Sequence, residues 1–263
     1  MKRLGVGLIF ILLLSSTAYS FDRKGFTPTA PYSVLSTFSA ETPMQNQIAI
    51  GLDYDLTTDP DRSRLNLNIS YGLTESAEIL LNLPYNLYYR NSSKMNGAED
   101  LNIGLKHRII DETTFTPAIA YLLFASGDLG KDEFSTEGGV GAGFIVTKKI
   151  GPFKAHGNII YFRPEKEVFR ETWNINLGAE LSVSYNSKLL FEIIGRKAID
   201  RSKIDLVEWR IGYRIRITEF SYTTVGFGFD VKNRNPDMRF MFGISAILPP
   251  YKGIHKKIVD EVD

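Results

Sequence analysis

The sequence contains no cysteine. That excludes a disulfide framework, a thiolate nucleophile and a cysteine-ligated metal, and leaves the compartment open. Net charge is nearly absent too: 31 Lys and Arg stand against 30 Asp and Glu in 263 residues. A nucleic-acid partner usually asks for a far more basic chain, so none is expected. The histidines are limited to His107, His156 and His255. Beyond the first twenty residues there is no apolar run of the ~20 residues a spanning helix needs. If the chain sits in a membrane, it crosses with strands.

The start fixes the compartment better than the composition does. Met1-Lys2-Arg3 precedes an apolar run from Leu4 to Leu14, and small residues at Ala18 and Ser20 suit cleavage before Phe21. A basic start, a short apolar core and an A-x-A-like end describe a secretory signal, residues 1–20. The run is too short for an uncleaved membrane anchor. Losing Lys2 and Arg3 leaves 29 basic residues and brings the mature chain near −1.

What is present is two-residue alternation. Ile48, Ile50, Leu52, Tyr54 and Leu56 oppose Gln47, Ala49, Gly51, Asp53 and Asp55, and Leu65, Leu67, Ile69, Tyr71 and Leu73 oppose Arg64, Asn66, Asn68, Ser70 and Gly72. Successive side chains of a strand point to opposite faces, so each segment makes one apolar and one polar wall. The pattern recurs over 77–90, 100–109, 115–125, 137–147, 153–162, 172–183, 188–196, 205–217, 221–230 and 238–248. An irregular arm, 21–43, precedes the strands, in the periplasm or tucked into the lumen, and a polar tail, 249–263, follows them. Segments of about ten residues exceed the usual five or six of soluble strands. Long and short connections alternate.

This is the plan of an all-β, transmembrane, antiparallel up-and-down β-barrel of about twelve strands, occupying 44–248 in the bacterial outer membrane. A soluble barrel or sandwich with the apolar wall inside competes. Against it stand the strand length, a polar wall of Asn, Gly and matched charges, and aromatic residues near strand ends. Tyr54, Tyr89, Tyr161 and Trp173 would lie at the outer interface, and Tyr71 and Tyr213 at the inner one.

Catalytic constellations are not evident. His107 points to the lipid face without a serine two residues on, His156 reads as a lumen residue between Lys154 and Asn158, and His255 lies in the tail. A serine–histidine pair must meet in space, and no spacing here shows that. The run Gly138-Gly139-Val140-Gly141-Ala142-Gly143 is not a phosphate loop, because its glycines recur every second residue and no helix follows. The acidic residues form no calcium loop. No cofactor and no metal are expected, and the chain does not read as an enzyme.

The polar wall carries charges of both signs that nearly cancel, which suggests a cross-linked lumen rather than a wide selective pore. Glu192, Arg196, Glu208, Arg210, Arg214, Arg216, Asp230 and Arg239 form the expected network on the last strands. The middle strands differ: Leu122 and Phe124, then Gly139, Gly141 and Gly143, then Ile160 and Phe162 fall on the inward side, with Tyr88 nearby. These residues either line a recess for an apolar ligand, or a bulge after Pro117 turns Leu122 and Phe124 to the lipid.

At Gly97-Ala98-Glu99-Asp100-Leu101-Asn102-Ile103-Gly104-Leu105-Lys106-His107-Arg108 the chain resembles the bacterial outer-membrane family named for the MetA pathway of phenol degradation, and Ala125-Ser126-Gly127-Asp128 resembles that family's Pro-Thr-Gly-Asp. The resemblance runs from about Gln47 to Leu248. It implies a β-barrel transporter or channel, with hydrophobic or aromatic compounds as small-molecule solutes, and supplies no catalytic residues. The chain departs from the common pattern at its end, because Leu248 rather than an aromatic residue closes the last strand that insertion machinery reads. Outer-membrane lipid, a small solute and that machinery are the expected partners, with the oligomeric state open. A structural or adhesin-like barrel acting through its outer loops, or a lipid hydrolase, are the alternatives. Active transport is not expected, since the arm is short for a large plug domain.

Overall fold

The computed structural model describes residues 26–90, 94–167, 169–200, 202–232 and 236–249. The signal, the first residues of the arm and nearly all of the tail lie outside them.

Thirteen strands form one antiparallel sheet: β1 Ile48–Thr58, β2 Arg62–Gly72, β3 Ala77–Arg90, β4 Lys94–Ala98, β5 Leu101–Ile110, β6 Ala118–Gly127, β7 Gly139–Ile150, β8 Phe153–Pro164, β9 Thr172–Ser184, β10 Ser187–Ala198, β11 Leu206–Arg216, β12 Ser221–Asp230 and β13 Met238–Leu248. β1 pairs with β13 from Ile48↔Leu248 to Thr58↔Met238, and β2 pairs with β3, so the sheet closes. All strands but β4 are staves of a closed twelve-stranded barrel. β4, in a stretch whose sequence reads as loop, folds back on the end of β3 from Arg90↔Lys94 to Tyr85↔Ala98. Among the described residues the sheet has no free edge other than this short one, which removes the pairing hazard of open sheets.

The alternation resolves as apolar out, polar in. On β6, Leu122 is fully buried while its neighbour Leu123 is 50% exposed. Outward residues such as Leu52, Ile103, Val140, Ile175, Trp209 and Ile244 are exposed on every side of the barrel, whereas Asn66, Asn68, Asn82, Glu78, Lys106 and Arg239 are buried within it. An apolar exterior around a polar interior suits hydrocarbon outside, and this places the barrel in the bacterial outer membrane. Both the entry to β1 and the exit from β13 lie at the end of the barrel that carries the turns 73–76, 151–152 and 185–186, which is the periplasmic end of such barrels.

β6 starts at Ala118 rather than near Phe115, which stands 93% exposed in the turn before Pro117. Proline has no N–H to give the ladder, so pairing resumes only after it. Register does shift between Arg108 and Ile110 opposite this start. The shift spends itself in the turn, and Leu122 and Phe124 face the lumen.

The lumen is filled from within by the arm. From Phe26 the chain dips towards the periplasmic end, turns back through a hairpin closed by the Ser33↔Phe38 bridge and the Ser39 N–H to Tyr32 O bond, and leaves towards β1. Phe26, Val34, Phe38 and Ala40 are among the most buried apolar residues described. Of the two positions open to the arm, the lumen is the one it takes.

Candidate functional site

The apolar half of the lumen is built by three neighbouring strands. Leu122 and Phe124 on β6, Ile145 on β7 and Ile160 on β8 are buried in one cluster, with Phe162 packed against it. The β7 glycines lie under these side chains. A Cβ at Gly141 would stand 2.1 Å from the Phe124 ring, at Gly139 2.7 Å from Phe162, and at Gly143 3.0 Å from Ile160. The small residues let large rings lie flat on the wall. Phe162 and Phe124 stack with centroids 5.8 Å apart and planes 9° apart.

The arm completes that stack. Phe26 lies on Phe124 at 5.2 Å and 10°, and Phe38 lies on Phe26 at 5.9 Å and 25°. Phe26 rests against Gly104 of β5, where a Cβ would be 2.6 Å from its ring. Seven of the eight recess residues read from sequence therefore come together, and the arm's own rings fill the space between them. Tyr88 does not join them. A bulge at Leu87, between the pairs Ser63↔Tyr88 and Arg64↔Asn86, shifts the parity of β3. Tyr89 turns inward instead, 5% exposed, edge-on to Phe134 of the outer loop, so it is not at the lipid interface either. Tyr88 lies half-buried with the Lys94 ammonium 5.9 Å over its ring.

The charged half is a chain of ion pairs. Glu192 meets Arg210 at 3.1 Å, Arg210 meets Glu208 at 2.6 Å, Glu208 meets Arg239 at 2.7 Å, and Arg239 reaches Asp55 at 3.7 Å. All of these side chains are nearly fully buried. Buried charges persist only when paired and hydrogen-bonded, and each acid here sits against a guanidinium. Four of the eight expected network residues make this chain, and Asp55 joins them. Arg196 instead donates to Asn174, and Asp230 accepts from the Val207 and Lys232 N–H groups. Arg216 lies outside the network at the periplasmic rim, stacked on Tyr185.

Arg214 leaves the network to grip the arm. It donates to the carbonyls of Pro31, Ser33 and Val34 at 3.3, 2.7 and 2.5 Å. Glu192 does the converse, with one carboxylate oxygen accepting the N–H groups of Ser36 and Thr37 at 2.7 and 2.6 Å and the Thr37 hydroxyl at 2.6 Å. Asn158 takes both polar groups of Phe38, accepting its N–H at 2.7 Å and donating to its carbonyl at 2.9 Å. The Thr147 hydroxyl accepts from Ala40 N–H, and the Lys106 ammonium donates to the carbonyls of Ser39 and Glu41. His156 is held by Thr147 at 3.0 Å and faces Glu180 at 3.5 Å, an ordinary hydrogen-bonded lumen residue.

The outer rim is organised by the stretch that carries the family resemblance. Asp100 accepts from the N–H and hydroxyl of Thr136 and from Gly130 N–H, and Ser135 donates to Asp128. The two resembling motifs thus meet across one loop. Glu99 beside them is gripped by Arg62 at 2.5 Å and Arg64 at 2.7 Å. Burial would raise its carboxyl pKa, and the Arg64 and Arg62 guanidiniums outweigh that and hold it below 4.5.

Sequence reasoning missed Phe26, Phe38 and the hairpin between them. Two signals point to them in hindsight. The run from Phe26 to Ala40 carries no charge at all. Inward glycines also mark where the arm presses: a Cβ would stand 2.7 Å from Val34 at Gly178, and 3.2 and 3.4 Å from Leu35 at Gly212 and Gly226. Between arm and wall, beside Arg64 and Arg214, remains a cavity of about 50 Å³, room for a few water molecules.

No family model matches the chain, and no curated protein matches it. Solved structures share its fold. An outer membrane channel from Pseudomonas putida F1 superposes with a TM-score of 0.63 at 12% identity, over 85% of this chain and 100% of that one. A KdgM porin gives 0.57 at 8% identity and a NanC porin 0.56 at 6%, each over 75% of this chain and 98% of the other. At such identities the likeness is one of fold.

Proposed function

We propose that this barrel is a gated, passive transporter or channel for small hydrophobic or aromatic solutes, of the kind implied by its resemblance to the phenol-degradation family, and that the arm is its gate. The observation that carries the reading is the ring column Phe162–Phe124–Phe26–Phe38: two rings belong to the wall and two to the arm. Withdrawal of the arm would uncover Leu122, Phe124, Ile160 and Phe162 as a greasy recess on one side of a hydrated lumen, a place where an apolar solute gains by leaving water. The fold's company supports the channel half of the reading, since the proteins sharing it are described as a channel and as porins.

One KdgM porin was solved with a disordered oligogalacturonate. A saccharide route would favour polar side chains all round, and here Leu122, Phe124, Ile145, Ile160 and Phe162 make an apolar patch on the β6–β8 wall. The test is uptake of a small aromatic compound into proteoliposomes. Gly141→Trp would drive a large ring into the space of Phe124 and is expected to abolish most of the uptake in a correctly inserted barrel. Unchanged uptake would remove the recess from the proposal.

A further inference from the structure

The arm is held in an unusual way for a plug: the wall binds its main chain. Asn158 matches the N–H and carbonyl of Phe38 as a neighbouring strand would, Glu192 takes two successive N–H groups, and Arg214, Lys106 and Thr147 take carbonyls and an N–H on either side. In a free hairpin closed by the Val34 N–H to Thr37 O bond, the reciprocal partners would be Val34 O and Thr37 N–H. Here Arg214 takes the carbonyl and Glu192 the N–H. The wall has displaced a bond the peptide would make with itself. Main-chain groups are common to all peptides, so such contacts recognise a peptide backbone, here bent into a hairpin, rather than one sequence. Selectivity comes from the ring slot over Phe124 and Gly104 of the wall, which Phe26 and Phe38 of the arm now fill.

We infer that the lumen wall formed by Asn158, Glu192, Arg214 and Lys106 is a binding seat for short peptides bearing an aromatic side chain, and that the arm is its built-in occupant. This narrows the solute class of the proposed transporter, and it rests on the reading that the arm leaves the lumen. A neutral arene would use the ring slot alone and leave the donors and acceptors of the seat to water. A short peptide with one aromatic residue satisfies both halves.

An arm tethered to the wall competes as an intramolecular ligand at high effective concentration. The arm is therefore weakened from its own side, with the wall intact. Radiolabelled acetyl-Ser-Thr-Phe-Ser-amide, the sequence of Ser36 to Ser39, is equilibrated with the full chain in detergent. Saturable binding is expected, at least tenfold tighter to Phe26→Ala/Phe38→Ala than to the wild type. Replacing the peptide's Phe with Ala should cost tenfold or more, and benzyl alcohol should compete only weakly. Asn158→Leu and, separately, the shape-conserving Glu192→Gln in the weakened background should each reduce binding, and agreement of the two separates lost contacts from a misfolded barrel. Absence of saturable binding, benzyl alcohol competing as well as the peptide, or indifference to both wall substitutions would each overturn the seat. Binding is read without transport, so its failure alongside intact aromatic uptake would remove the peptide seat alone.

Discussion

The two halves of the lumen hold the same arm by opposite means. On β6 to β8 the wall offers rings and bare glycine backbone, and the arm answers with Phe26 and Phe38. On β9 to β13 the wall offers guanidiniums and carboxylates, joined from the other side by Asn158 of β8, Thr147 of β7 and Lys106 of β5, and the arm answers with main-chain carbonyls and N–H groups. The apolar contacts are non-directional and can be taken over by any ring of similar size. The polar contacts are directional and need a peptide. One half therefore sets how tightly something is held, and the other sets what kind of thing it is.

The halves also differ in what they do for the barrel itself. Glu208 is fully buried between Arg210 and Arg239, so Glu208→Ala removes the carboxylate that two buried guanidiniums share and breaks the chain of ion pairs at its middle. A loss of about 3–5 kcal/mol is expected, seen as a lower urea midpoint for unfolding from lipid vesicles. A neutral result would make the charged half mere filling. On the apolar side, Phe26→Ala should weaken arm docking by about 3–5 kcal/mol yet leave that midpoint nearly unchanged, because the removed ring belongs to the arm. Limited proteolysis would show it: cleavage between Pro31 and Phe38 should appear in a barrel that stays resistant. A midpoint that falls together with arm protection would mean that arm and barrel are one cooperative unit.

The smallest expected effect comes from the rim. A folded pKa held below 4.5 means that Glu99 stabilises the rim it shares with Arg62 and Arg64 at all higher pH, and that this contribution is lost only as pH falls through the lowered value. Going from pH 7 to pH 5 should therefore leave the protease resistance of the outer rim around Arg62 and Arg64 unchanged, and stronger acid should reduce it. In Glu99→Gln that acid step should disappear.

Much of this was legible in the sequence because the side-chain period of a strand is two and every stave obeys it. The inward set, from Asn66 and Asn68 to Arg239, follows from parity alone, whereas for Leu122 and Phe124 two facings are open and their burial decides for the lumen. Parity fails where one residue is inserted, which is why Tyr88 and Tyr89 exchange roles at the bulge, and β6 begins after Pro117 because proline gives the ladder no N–H. The charged network was readable as a set but not as a wiring. Parity places Arg214 and Arg210 on one face, and only the arm's path decides that Arg214 turns to main-chain carbonyls while Arg210 stays with the acids. The arm has no period, and its position follows from contacts far apart in sequence, such as Phe26 with Gly104 and Leu35 with Gly226.

The central claim is that the arm is a removable occupant of the lumen, and a reversible lock tests it most directly. A Cβ at Gly178 would stand 3.1 Å from that of Thr37, a few tenths inside the span of about 3.5–4.5 Å for a disulfide, and the chain has no other cysteine to interfere. In the Gly178→Cys/Thr37→Cys protein in planar bilayers, oxidation should abolish single-channel openings and reduction should restore them. Openings of equal size and frequency in both redox states would contradict the account.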